Sequence, residues 1–399
     1  MEMYAFVGQI IERFGPRSPG SNAERQAQQW VAQQFETLAG PEQVHVQRFR
    51  ASMTAKFVSL KLFVTLFVVS MVLAWFSLPL AGAIGLLNTV VFLGHFVLYR
   101  DWLDPLFAKS DSSNVIATLE PSGKVRSTLI VAGHVDSATE FQWWYRFGQA
   151  GITATVLAGF VLVLSGLYLG IAALAGSEFA TPAVRFPWFL FALLAPLQLT
   201  NWSMHGDRVV DGAIDNLSGL AVAWGLGRHF AKPGALGQNT LQHTRIKLVS
   251  FGSEECGLKG SRALVREFEQ QLRAENAVLL NMESFKDDQN LTILTGEAFT
   301  GARYPRALND RLGAAMREAG CSFTETTLMV GATDATSFAN RGLPATCVIG
   351  LTSNKLDPTY HTRLDNMQHL ERSGMEAMVR VLVRFTEAWD SADVLPELK

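Results

Sequence analysis

Two kinds of hydrophobic pattern share this chain. In the first, apolar residues recur with the period of a helix or a strand, and polar residues fill the rest. Met3–Phe14 and Ala23–Leu38 carry helical spacing, and Val44–Phe49 alternates as a strand does. Asn114–Leu119 and Thr128–Ala132 read as short strands on either side of the turn Pro121-Ser122-Gly123. A helix over Gly219–Phe230 precedes a buried strand over Ile246–Phe251 and a helix over Leu258–Leu272. Strands over Ala277–Leu280 and Leu291–Thr295 follow. Then come a helix over Tyr304–Ala319, a strand over Ala345–Gly350 and a long helix through Met375–Ala388. Strands alternating with helices predict an α/β sandwich with a mixed, largely parallel sheet.

The second pattern is an absence of charge. Leu62–Tyr99, Phe147–Ser177 and Phe186–Gly206 contain no Asp, Glu, Lys or Arg. A membrane span needs about 20 mostly apolar residues. The first run fits two spans broken near Ser77-Leu78-Pro79, and each of the others fits one. Buried helices of a soluble protein would be shorter and amphipathic. The expected organisation is one globular domain in three pieces, residues 1–56, 101–147 and 205–399. Transmembrane hairpins over residues 57–100 and 148–204 interrupt it. Trp143, Trp144 and Tyr145 resemble an interfacial aromatic belt, as do Trp188 and Trp202.

Composition sharpens this picture. Of 399 residues, 48 % are hydrophobic and 18 % charged, with a net charge of −2. Outside the apolar runs the charged fraction rises to about 22 %, near the value for a soluble domain. The chain is too apolar for a disordered protein and lacks the basic excess of a nucleic-acid binder, so no nucleic-acid partner is expected. Arg48, Arg50, Lys56, Lys61, Arg100, Lys109, Arg146 and Arg208 flank the spans on the side of the globular domain. The positive-inside rule then places that domain in the cytoplasm. Unpaired Cys256, Cys321 and Cys347 suit a reducing compartment, and the first residues show no signal-peptide pattern. Nothing in the pattern specifies an oligomeric state.

Candidate chemistry falls just after the short apolar strands, where open α/β sheets bind ligands. Thr128–Ala132 runs into Gly133-His134-Val135-Asp136. There His134 can ligate a metal while Asp136 orients it, or the pair can be structural. Asp215, in Gly212-Ala213-Ile214-Asp215-Asn216, reads as a helix cap or as a carboxylate bridging two metals. Glu254 and Glu255 directly follow a buried strand. They are costly there unless they are solvated or bind something positive. Glu283 sits just past another strand, and His361 and Asp365 precede the final helix. Each has an ordinary structural reading by itself; together they recur at strand ends along the whole globular part.

This ordered set resembles the co-catalytic dizinc aminopeptidases of metallopeptidase family twenty-eight. Gly15-Pro16-Arg17 and Gly20-Ser21 resemble that family's N-terminal helix-turn. Gly331-Ala332-Thr333-Asp334, Phe338 and Gly342-Leu343-Pro344-Ala345 resemble its later substrate-side loop and strand. The resemblance implies a three-layer sandwich and two zinc ions. His134 and Glu283 would hold one ion, Glu255 and His361 the other, and Asp215 would bridge them. It also implies Glu254 as general base, Asp136 and Asp365 as supporting carboxylates, and Asp334 and Tyr360 on the substrate side. Glu283 departs from the pattern, since the family more often carries Asp there. The two membrane hairpins are a second departure.

The implied function is a membrane-anchored aminopeptidase acting on peptides with a free N-terminus, with the lipid bilayer as its other partner. Alternatives are a single-zinc glutaminyl cyclase-like enzyme, a carboxypeptidase and a catalytically silent membrane scaffold; a transporter fits less well. His134 and Asp215 lie about a dozen residues from a span, at most ~45 Å of extended chain. A site opening near the membrane surface is therefore expected.

Overall fold

Short apolar strands, most of them buried on both faces, form the spine of the fold. The computed structural model describes residues 3–231, 239–350, 357–392 and 398. The chain forms two units: Met1–Ala51 with Lys109–Thr139 and Val209–Lys399, and Ser52–Ala108 with Glu140–Arg208. The segments read as hairpins, residues 57–100 and 148–204, fall inside the second unit.

The first unit holds a nine-stranded sheet. Its strands are β1 (Val44–Ala51), β2 (Ser110–Leu119), β3 (Ser127–His134), β4 (Thr244–Phe251), β5 (Ala277–Glu283), β6 (Thr292–Glu297), β7 (Ala302–Arg303), β8 (Thr324–Leu328) and β9 (Ala345–Ile349). Their order is β1-β2-β4-β3-β5-β9-β6-β8, with β7 on β6. The central strands β4, β3, β5 and β9 run parallel. Antiparallel β1 and β2 extend one side, and β6 joins β9 antiparallel on the other. Every residue of β3 is buried, as a parallel strand covered on both faces requires.

Among the described residues, seven helices cover the sheet: α1 (Met3–Phe14), α2 (Asn22–Ala39), α3 (Gly219–Phe230), α4 (Lys259–Ala274), α5 (Arg306–Glu318), α6 (Asp334–Ala339) and α7 (Arg372–Asp390). Leu129 and Val131 of β3 join a core with α1, α2, α3, α5 and α7. Ile130 and Ala132 point the other way, into a core with α4 and α6. The result is the three-layer sandwich.

Two local devices fix the approach to the site. Ser21 caps α2 by accepting from the Glu24 N–H at 3.1 Å, and Glu24 accepts from the Gly20 N–H at 2.7 Å, a form of capping box. At the end of β3, a Cβ on Gly133 would lie 2.5 Å from the backbone nitrogen of Leu220. Only glycine lets the start of α3 cross there.

The pattern gave no sign of β7, β8 or α6. Strand β8 reads Thr-Glu-Thr-Thr-Leu, polar and half exposed. It joins the sheet through hydroxyl pairs, Thr292 with Thr324 and Thr295 with Thr327, each at 2.9 Å.

The second unit contains four helices long and apolar enough to cross a membrane: Ala55–Leu73, Leu78–Val97, Gln149–Leu174 and Pro182–Trp202. They share a core that includes Leu60, Phe63, Phe67, Leu162 and Leu169. The first helix begins before the charge-free run and takes in Lys56 and Lys61. The fourth takes in Arg185. A long cationic side chain near a span end can keep its head in a polar layer. The second and third helices meet at Gly85 and Gly166, where a Cβ on Gly166 would lie 2.2 Å from Thr89 Oγ1. Asn88 donates to the Phe63 carbonyl at 3.0 Å, and Gln198 to the Ala158 carbonyl at 2.8 Å. Thr139–Phe141 and His205–Val209 pair as a two-stranded ribbon.

Candidate metal centre

The parallel register brings three strand ends to one edge. His134 of β3 aligns with Phe251 of β4, and Ala132 with Asn281 of β5. His134 therefore lies beside Glu254 and Glu255, which follow β4, and Glu283, which ends β5. Asp215 comes from the irregular segment Ala213–Ser218, whose Asp215–Asn216 peptide is cis. His361 comes from the loop before α7.

Asp215 joins the two imidazoles. Its Oδ1 lies 3.3 Å from His134 Nε2 and its Oδ2 lies 3.2 Å from His361 Nε2. Glu255 Oε2 lies 3.1 Å from His361 Nε2. On the His134 side, Glu254 Oε2 is 3.8 Å and Glu283 Oε2 3.9 Å from Nε2. One ligand atom each from His134, Asp215 and Glu255 falls within 4.8 Å of the others.

The supporting groups are specific. His134 Nδ1 faces the main-chain oxygen of Asp136 at 3.1 Å. A proton on Nδ1 there leaves Nε2 as the free donor to a metal. The Asp136 carboxylate accepts the N–H groups of Glu254 and Glu255, each at 3.0 Å. Asp365 accepts from the N–H groups of Ile214 at 2.6 Å and Asp215 at 3.2 Å. It thus supports the bridging aspartate through the backbone. The motif by itself suggests a carboxylate on the His361 imidazole. Tyr360 stacks on the His361 ring, with centroids 4.0 Å apart.

Asp334, the first residue of α6, is fully buried, and among the described residues neither carboxylate oxygen has a partner at full hydrogen-bond geometry, with the Ser261 hydroxyl beside it. The neighbouring Ser261 hydroxyl is engaged with Leu258 O at 3.3 Å and Ser337 Oγ at 2.8 Å. Burial raises the Asp334 carboxyl to about 7. Glu297 anchors this turn by accepting from Thr333, Thr336 and Tyr304.

Electrostatically the cluster is an excess of buried acid. Burial pushes Glu254, Glu283 and Glu255 above the usual carboxylate range. Burial also acts to raise Asp215, but the two imidazoles outweigh it and hold Asp215 low. Burial opposes charge on His361, yet Glu255 and Asp215 raise it to about 10. Among the described residues, the buried Glu255 Oε1 has no hydrogen-bond partner. Imidazole and carboxylate donors with an orphaned buried oxygen suit divalent zinc.

Sequence reasoning missed two amides. Asn216 donates to Glu283 Oε2 and Asn281 to Oε1, each at 2.8 Å. The longer acid is thereby held at both oxygens. Asn281 was detectable, because it lies two residues before Glu283 on one face of β5. Asn216 had no local signal.

Comparison with known proteins bears on the family and the fold. Residues 200–386 match the sequence model of Peptidase family M28. No curated protein matches the chain by sequence. The fold is similar to BSAP, a zinc aminopeptidase from Bacillus subtilis, at 15 % identity and a TM-score of 0.57, covering 99 % of this chain and 96 % of that one. The LapA aminopeptidase of Legionella pneumophila has 12 % identity and a TM-score of 0.55, with 98 % and 72 % covered. A glutaminyl cyclase from Porphyromonas gingivalis has 15 % identity and a TM-score of 0.53, with 97 % and 96 % covered. The chain resembles the metallopeptidases of this family, and its α/β fold is that of the zinc aminopeptidases.

Proposed function

We propose that this chain is a membrane-anchored, zinc-dependent aminopeptidase. The observation that carries the reading is one carboxylate, Asp215, set between two imidazole Nε2 atoms at 3.3 and 3.2 Å. Around it stand the acids a paired-metal hydrolase needs. His134, Asp215 and Glu283 would hold one zinc; Glu255, Asp215 and His361 would hold the other. When bound, such ions polarise a scissile carbonyl and lower the pKa of a water.

The chain's own groups do the rest. The Glu254 side chain is 12 % exposed, in contrast to its deeper neighbours, and faces His134 Nε2. It is placed to take the proton of the attacking water and to pass it to the leaving amine. Asp136 keeps Glu254 and Glu255 in register by gripping both of their N–H groups.

Charge favours the amino end of a peptide. Fully ionised, Asp136, Asp215, Glu254, Glu255, Glu283, Asp334 and Asp365 would outnumber Arg17 plus the charges of two zinc ions. A site left negative attracts an α-ammonium and repels a C-terminal carboxylate. The hairpins would anchor the chain in the membrane with the catalytic domain facing the cytoplasm; the four apolar helices support the anchoring. A single-zinc glutaminyl cyclase-like enzyme is the second reading, since a cyclase shares the fold.

The test is zinc content per chain in detergent-purified wild type and Asp215→Ala, with turnover on an aminoacyl p-nitroanilide and on an N-terminal glutaminyl peptide. Two zincs, lost with Asp215, and release of the amine support the proposal. One zinc with pyroglutamyl formation selects the cyclase. No zinc in folded protein refutes both.

A further inference from the structure

Arg17 belongs to neither strand nor helix and contributes no atom to the acid–imidazole cluster, yet it is fully buried. Among the described residues its hydrogen-bond partners are backbone groups and one hydroxyl. Nε donates to Val135 O at 2.7 Å, Nη1 to Gly15 O at 2.7 Å, and Nη2 to Asp211 O at 2.8 Å and Gly212 O at 3.5 Å. The Arg17 N–H donates to Ser137 Oγ at 2.8 Å, and the Ser137 N–H donates back to Arg17 O at 3.0 Å.

The addresses of these acceptors matter. Val135 lies between His134 and Asp136. Asp211 and Gly212 open the segment that delivers Asp215. One planar guanidinium therefore cross-links the two loops that carry His134 and Asp215. Gly212 makes room for it: a Cβ there would meet Ser137 Cβ at 2.7 Å and Arg17 Nη2 at 3.0 Å, and its φ is +63°. Lysine gathers its donors on one nitrogen and cannot span these directions.

Asp365 performs the matching task on the other side. It lies four residues after His361 and grips the N–H groups of Ile214 and Asp215. It ties the bridging aspartate to the His361 loop. Arg17 ties the same segment to the His134 loop.

We propose that Arg17 is a positioning residue that sets the separation of the His134 and Asp215 loops and so holds the seat of the ion those two residues share. The inference rests on the two-zinc reading. It makes the two seats separable, because Arg17 governs one and Asp365 the other.

The experiment is chelator competition on the zinc-loaded full chain, with zinc equivalents retained as the readout and far-UV circular dichroism as the fold check. Arg17→Lys is expected to bind one of the two ions about tenfold or more weakly, the scale of altering a ligand's support. It should leave the other near wild type. Combined with His134→Ala, Arg17→Lys should leave the remaining ion within about twofold of the single variant. Combined with His361→Ala, it should weaken the remaining ion. A general loss of stability would weaken both. Ser137→Ala removes only the hydroxyl that seats the Arg17 N–H. It should shift the same ion by about threefold, and it decides the matter if Arg17→Lys does not fold.

A folded Arg17→Lys that retains both ions with wild-type resistance overturns the proposal. So does further loss in the His134→Ala background, or an unchanged Ser137→Ala. Wild type with fewer than two zincs removes the two-zinc reading itself, and the brace falls with it.

Discussion

Replacing Asp136 by Asn tests whether the centre is organised by backbone clamps. Asp136 is fully buried, and its two oxygens accept one N–H each, from Glu254 and Glu255, at 3.0 Å. A carboxamide keeps one acceptor and turns an NH2 toward the other N–H. The change removes one charge-assisted hydrogen bond, worth about 1.5–3 kcal/mol, and strands a buried donor at about 1–3 kcal/mol. Part of this is offset, because the Asp136 charge also raises Glu24 and that repulsion disappears. The net expectation is about 2–4 kcal/mol, or about 3–7 °C in Tm for a unit of this size. Thermal unfolding of the zinc-free protein in detergent measures it, alongside zinc content and kcat. Zinc at Glu255 and turnover through Glu254 should both fall, since both residues hang from this clamp. Asp136→Ala, which strands both N–H groups, should be worse than Asn. A loss below about 1 kcal/mol with full zinc content, or an Ala variant milder than Asn, would refute the clamp.

Three further outcomes are expected. Glu254→Gln should retain zinc and lose about 10²–10⁴ in kcat, the usual contribution of a general base; near-normal turnover would show that another group carries the proton. In zinc-free protein, burial holds the Glu24 carboxyl up at about 8 against an ordinary 4.5. The folded state therefore keeps a proton that the unfolded chain has lost, and stability falls as pH rises from about 4.5 to 8. Glu24→Gln keeps the neutral form, so Tm plotted against pH should be flatter for this variant; an unchanged slope would exclude Glu24 as its source. Gly166→Val should prevent the second and third apolar helices from packing, because a Cβ there lies 2.3 Å from Gly85 O. Wild-type accumulation and Tm in detergent would contradict that contact.

Much of this protein is local, and its sequence shows it. Apolar alternation in β3 and β4 marks strands buried in a sheet, and three long charge-free runs mark helices that can sit in lipid, because both signals come from neighbouring residues. The order of His134, Asp215, Glu254, Glu255, Glu283 and His361 along the chain is legible too, since each follows an apolar strand or opens a helix. Pairing is not legible. Edge strand β8 is recognisable only beside β6, whose threonines face its own. Asp365 looks like a partner for the neighbouring His361, but it serves N–H groups 151 and 150 positions away. Asp334 looks like a loop carboxylate and is fully buried. Arg17 lies in the N-terminal helix-turn, and it is buried because carbonyls 118 and 194 positions away converge on it. A polar group's place depends on partners that only the folded chain assembles. Periodicity therefore determined the layers and the apolar helices, and the tertiary structure alone decided which polar groups hold the centre together.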